Sequence, residues 1–324
     1  MGPSRVLFSR GGYAESEHRV LWCATGPGGE VLAASDPDAP DAGVFPRSAV
    51  KPFQALPAVR GGTLELFGLA DRHLALACAS HGGDDQHVAV VSEVLAAIGL
   101  GEQHLACGPL DPRDPAAAMH RRARGEQPSP IVHNCSGKHA LGLARCRQAG
   151  WPVESYVDPG HPLQRSMHAS VAAAAGLAPQ DVPYGGDGCG MLAFQLPLGR
   201  LAGAFGRLAS GGLGPGGEQV AAAMRADPAL VAFDGALDTE LMRCVDGLVA
   251  KIGAEGVLGV GLPDGRGLAV KIADGAMRAL DPAGVAVARE VLGLPLPGEA
   301  LEALARPVLH NSRGEHVGWG SATA

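Results

Sequence analysis

Short apolar runs open the chain, and helical periodicity then replaces them. Residues 5–8 (Arg-Val-Leu-Phe) and 18–24 (His-Arg-Val-Leu-Trp-Cys-Ala) are divided by Gly11 and Gly12, which predicts two strands. A Gly-Pro-Gly-Gly turn at 26–29 and a loop at 39–43 follow. Residues 69–79 predict a buried helix. Residues 84–98 predict an amphipathic one, opening on Asp84 and Asp85, where carboxylates favour a helix start, and stopping at Gly99. The Pro- and Arg-rich stretch 109–130 reads as a surface connector holding a short helix. Further helices are predicted at 136–147 and 163–176. An apolar helix over 193–212 runs into a glycine-rich loop at 211–217, and 218–226 resumes the helix. After Lys251 the pattern becomes that of strands, at 256–261 and 268–272 around a Pro-Asp-Gly-Arg-Gly turn, before a helix at 282–292.

Strands at both ends around a helical middle, about 84–250, predict one sheet assembled from N- and C-terminal pieces. The expected class is α/β (α+β), two-layered with a helical subdomain, in a single catalytic domain over 1–324. There is no internal repeat and no Rossmann or P-loop spacing among the glycines.

Composition narrows the function. A 324-residue chain that is 46% apolar can bury a sizeable core. With a net charge of −7, 4% aromatic residues and no basic stripe, nucleic acid and anionic membranes are poor partners. No 18-residue apolar run and no signal-like start are present, which reads as a soluble, cytoplasmic protein. Seven cysteines without a CxxC pair do not suggest a disulfide framework or a zinc ribbon. Of the 26 basic residues only four are lysine: Lys51, Lys138, Lys251 and Lys271. Lysine, unlike arginine, can lose its proton when buried and act as base or ligand.

Five elements carry candidate chemistry. Ser48 and Lys51 form an S-x-x-K pair, which on a helix shares one face and could give a serine nucleophile served by a lysine base. Pro52 is tolerable only if the helix has just begun, so Ser48 should lie near a helix start. Ser80 lies in Ala-Ser-His-Gly-Gly before the helix at 84; it is either an active hydroxyl or a loop residue, and His81 is equally open. The segment 133–139, His-Asn-Cys-Ser-Gly-Lys-His, is too polar for apolar packing to explain it. Gly185 to Gly190 sets Asp187 and Cys189 on a glycine backbone. Cys135 and Cys189 are soft donors that could hold zinc with an open position, although two distant sulfurs alone are a weak metal signal. Lys271, inside an apolar strand, is either an electrostatic partner for a serine or an edge-strand charge.

In this order the elements resemble the bacterial L-asparaginase II family, the rhizobial-type asparaginases. Arg10 to Ser16 with His18, Arg47 to Gln54, Ala79 to Gly83, His133 to His139, Gly186 to Gly190, Lys251 to Gly256 and Lys271 to Gly275 carry the resemblance over nearly the whole chain. It implies a fold similar to serine β-lactamases and glutaminases, and hydrolysis of L-asparagine to L-aspartate and ammonia. It implies two Ser–Lys pairs, Ser48 with Lys51 and Ser80 with Lys271, and does not decide which serine attacks; Ser48 is the one favoured here. It also implies one zinc per chain held by Cys135, Lys138 and Cys189, orienting substrate, and a homodimer. Arg47, His139 and Asp187 are candidates for holding the charged ends of the amino acid. Val257 stands where some relatives carry a cysteine, so any role for that thiol is lost. Rival readings are a glutaminase or other Ser–Lys acylhydrolase, and a non-catalytic amino-acid-binding protein.

Overall fold

The computed structural model describes residues 2–324. Two compact units divide them, both assembled from separated stretches. The first runs to Ala49 and takes in Leu196–Gly212 and Gly235–Ala324; the second is Val50–Gln195 with Leu213–Asp234.

The first unit is built on an eight-stranded antiparallel sheet. Its order is Val308–His310, His316–Thr323, Arg5–Arg10, Tyr13–Thr25, Gly267–Ile272, Val257–Gly261 and Val249–Gly253, with Val31–Ala34 pairing the far end of Tyr13–Thr25. N- and C-terminal strands therefore do share one sheet, and the mixed α/β class holds. Tyr13–Thr25 joins its halves: His18 stands opposite Val6 on one neighbour, and Leu21 opposite Lys271 on another.

The helix Leu198–Ala209 lies against strands whose facing residues are glycines. A Cβ on Gly261 would stand 1.9 Å from the Phe205 carbonyl oxygen, and one on Gly267 1.9 Å from that of Ala202. Close approach of two backbones thus explains part of the glycine content. At the sheet's edge Lys251 is fully buried and pairs with the equally buried Asp238 of Leu237–Cys244. Asp238 Oδ2 also accepts the Ile252 N–H at 3.2 Å, so one carboxylate ties that helix to the strand Val249–Gly253.

In the second unit the helices Lys51–Arg60, Asp71–Ala77, Ser136–Ala149, Pro162–Ala175 and Pro215–Ala226 pack on one another. The decisive approach is between Asp71–Ala77 and the first turn of Ser136–Ala149. A Cβ on Gly137 would lie 2.3 Å from the Leu76 carbonyl oxygen. Only glycine fits there, and the approach sets residues 78–83 beside 133–139. The predicted helix at 84–98 is Asp85–Ala97, capped by Asp84, whose carboxylate accepts the His87 N–H at 2.9 Å.

The structure corrects three expectations. The stretch 193–212 is not one helix: Leu192–Phe194 and Leu196–Pro197 are strands, and the helix begins at Leu198. Pro197 disfavours helical backbone at Leu196 and itself sits at the N-cap, which accounts for the late start. The glycine-rich loop is also shorter than its composition suggested, because Pro215 opens the next helix from within it. The strands Val249–Gly253, Val308–His310 and His316–Thr323 were not anticipated. Among the described residues no helix is long and apolar enough to cross a membrane, and all seven cysteines are free thiols.

Breaking the Lys251–Asp238 pair leaves a charge stranded in the core. Asp238→Ala should cost about 3–5 kcal/mol, read as a fall in the urea midpoint. Replacing both partners, Lys251→Met with Asp238→Leu, should recover most of that loss; a double variant as unstable as the single one would show that the pair is not the cause.

Candidate active site

Lys51 opens the helix Lys51–Arg60 directly after a 3-10 turn, Arg47–Val50, that contains Ser48. Pro52 lies in the first turn, as its position required. Arg47 has φ 51°, a left-handed backbone that non-glycine residues rarely adopt, immediately before Ser48.

The Lys51 side chain is fully buried. Its Nζ donates to the Ala79 carbonyl, lies 3.2 Å from Ser80 Oγ and reaches the Asn134 carbonyl at 3.5 Å. No carboxylate is among these partners. Three oxygens thus surround the nitrogen, two carbonyls that can only accept and one hydroxyl that can either accept or donate. The lysine that meets Ser80 is therefore Lys51, whereas the resemblance pairs Ser80 with Lys271.

Three segments hold the Ser80 loop. Ser80 N–H donates to Val231 O at 3.0 Å and Gly82 N–H to Ala232 O at 2.8 Å. His81 N–H donates to Asn134 O at 3.2 Å, and Asp114 N–H to Gly82 O at 3.0 Å. Arg113, stacked over the Phe233 ring, adds a hydrogen bond to Ser80 O at 2.9 Å. The His81 ring is a brace: its Nε2 meets Ser136 Oγ at 2.8 Å, and that hydroxyl donates to Ile131 O at 2.8 Å. Burial holds His81 well below the usual imidazole range, so it stays uncharged.

One helical turn further along, Cys135, Lys138 and Cys189 meet. Cys135 precedes the helix Ser136–Ala149, and its Sγ lies 3.1 Å from Asn134 Oδ1. Cys189 comes from the turn joining Tyr184–Gly186 to Leu192–Phe194, where Asp187 Oδ1 accepts Gly188 N–H at 2.7 Å. Lys138 Nζ donates to Cys189 Sγ at 3.2 Å. Cys189 is held well below the usual thiol range by a hydrogen bond from Cys135, against its own burial and with help from Lys138 and His139. Cys135 is pushed well up by that same bond and by burial. Burial alone would lower Lys138, but the Cys189 and Cys135 sulfurs outweigh it and raise it. These shifts favour negative charge on Cys189 and positive charge on Lys138, with Cys135 kept neutral. Beside it, His133 Nδ1 accepts the Cys135 N–H at 3.0 Å, and burial pushes that ring down to about 4.

Two sulfurs and an amine suit zinc as a donor set, provided Lys138 gives up its proton. Among the described residues, no group of three or more His, Cys, Asp or Glu side chains is disposed to hold a metal ion. A lysine third donor falls outside that count. His139 is buried next to the trio with Nδ1 2.6 Å from Tyr156 Oη.

The remaining candidates, Arg47 and Lys271, belong to the first unit. Lys271 Nζ donates to Glu255 O at 2.7 Å and to Ile272 O, which caps the turn where Glu255 is left-handed at φ 63°. Burial lowers Lys271, opposed by the Glu255 and Asp274 carboxylates. Val257 stands opposite Lys271 in the sheet. Sequence reasoning missed Asn134, whose carbonyl serves Lys51, as well as Arg113 and Tyr156. The first was visible within 133–139; the other two carry no local motif.

A model of the L-asparaginase II family matches residues 6–322. A comparison with curated protein sequences finds no match. Among solved structures, the chain is similar to Mglu, at 14% identity and a TM-score of 0.45, covering 91% of this chain and 72% of that one. It is also similar to a beta-lactamase from Mycobacterium bovis, at 17% identity and a TM-score of 0.44, covering 84% and 94%. Both scores are too low to assign a fold.

The Ser80 loop has no room to spare. A Cβ on Gly82 would stand 2.9 Å from Asp114 Cβ and 3.1 Å from Phe233 Cβ. Gly82→Ala should destabilise the protein by about 1–3 kcal/mol, measured by urea unfolding; a neutral effect would show that the segments around the loop yield freely.

Proposed function

The chain belongs to the L-asparaginase II family, hydrolases acting on asparagine, and from that premise we propose a Ser–Lys mechanism centred on Lys51. The observation that carries it is the buried Nζ set between two carbonyls and Ser80 Oγ. Ser48 Oγ attacks the side-chain amide carbon of L-asparagine and gives its proton to Lys51. That proton passes through Ser80 to the amide nitrogen, the C–N bond breaks, and ammonia leaves. Water then attacks the Ser48 ester with Lys51 again as base, releasing L-aspartate. The left-handed Arg47 supports Ser48 as the attacking residue, because backbone strain gathers where a side chain must be presented. Lys271 supplies positive potential. Arg47 takes the substrate carboxylate, Asp187 the α-ammonium, and His139 donates to a substrate oxygen.

Zinc, when bound, would be held by Cys135, Lys138 and Cys189 and would supply a positive charge that orients substrate. The same reading includes a homodimer in the cytoplasm, to be checked by sedimentation. Glutamine differs from asparagine by one methylene, which a pocket discriminates by only ~1–3 kcal/mol, so glutaminase activity is the second reading.

Ammonia release from L-asparagine tests the proposal directly. Ser48→Ala, and Lys51→Arg with unchanged circular dichroism, should each lower kcat by about 10²–10⁴. Near-normal turnover by Lys51→Arg would remove the lysine base. A trapped acyl group found on Ser80 by mass spectrometry would reassign the nucleophile. Metal analysis of untagged protein should find close to one zinc per chain, reduced in Cys135→Ser.

A further inference from the structure

Tyr156 lies between the helices Ser136–Ala149 and Pro162–Ala175, with its side chain almost wholly buried. Its Oη has two close partners: Ala106 N–H at 2.8 Å and His139 Nδ1 at 2.6 Å. The two rings meet edge to face, with centroids 5.5 Å apart. A phenol has one hydrogen to give, and Ala106 can only donate. If Nδ1 also carried a hydrogen, as in the other neutral tautomer or the imidazolium, the oxygen would accept twice. The buried hydroxyl hydrogen would then lack an acceptor, an arrangement that folded proteins rarely tolerate.

The hydrogen therefore goes to Nδ1, and the single ring hydrogen of neutral His139 is on Nε2. That atom is buried, makes no well-aligned hydrogen bond, and has the Cys189 sulfur acting on it. We infer that Tyr156 is a positioning residue that locks His139 in the Nε2–H tautomer, so that its one donor faces Cys189 and, once an amino-acid substrate is bound, an oxygen of that substrate. The substrate step rests on the asparaginase reading; the tautomer does not.

Long-range proton–nitrogen NMR of full-length protein labelled with ¹⁵N-histidine tests it, with His139→Gln to assign the ring. The wild type should show a protonated Nε2 and an unprotonated Nδ1, and Tyr156→Phe should lose that fixed pattern. The same variant should raise KM for L-asparagine about tenfold, the size of one lost hydrogen bond, with a smaller change in kcat. A wild-type ring protonated at Nδ1 would overturn the inference, as would Tyr156→Phe keeping both tautomer and KM. The wild-type spectrum decides the tautomer even if the variant fails to fold. The expected tautomer in a protein that turns over no asparagine would sustain the lock and overturn the functional reading instead.

Discussion

A lysine taken out of water with no carboxylate beside it is the constraint around which the second unit is organised. Lys51 Nζ is satisfied by Ala79 O, Asn134 O and Ser80 Oγ. These come from a loop and a turn that the sequence separates widely. Both must be brought within reach of one nitrogen, which explains why Gly137 has no room for a side chain and why backbone hydrogen bonds from Val231, Ala232 and Asn134 pin residues 80–82. Loosening any of these contacts would leave the amine short of an acceptor, at a cost that no exposed lysine would incur.

The contrast with Lys251 gives that constraint its chemical meaning. Both lysines are fully buried, but Lys251 meets the Asp238 carboxylate and forms an ion pair that joins a helix to a strand. A charge held by an opposite charge is kept charged, and so is unsuited to taking a proton. Lys51 instead meets two carbonyls and a hydroxyl, with no carboxylate among these partners. Lys138 is a third case: a sulfur counter-charge holds its proton, and a metal would have to displace that proton before taking the nitrogen. The same residue type thus stands in three different settings, distinguished by the nearest acceptor.

That distinction marks the limit of what could be read from the sequence. Local features were legible: the helix at 136, the acidic helix start at Asp84 and Asp85, the pairing of terminal strands in one sheet, and the need for a helix to have only just begun at Pro52. Each depends on neighbours a few residues apart or on periodicity. The link from Lys51 to Ser80 was not legible, because 29 residues separate them and the contact depends on how Asp71–Ala77 packs against Ser136–Ala149. Lys271 was hard to place from sequence for a related reason. A lone lysine in an apolar strand is open to a catalytic or a structural reading, and its contact with the Glu255 carbonyl depends on a sheet register that the sequence does not display. The helix proposed over 193–212 failed because apolar runs do not reveal their period when a proline interrupts them.

Tyr156 shows how a residue with no motif can nevertheless be decisive. It reaches the site through its hydrogen bond to His139, and no local motif marks it. Its effect follows from counting hydrogens: one backbone donor fixes the phenol's lone pair, the phenol's hydrogen fixes one ring nitrogen, and the other nitrogen becomes a donor. The sense of each bond is set by the one before it, back to the Ala106 amide, which cannot reverse. A buried polar chain with one irreversible end has one low-energy arrangement, and that prepares the His139 donor before any substrate arrives.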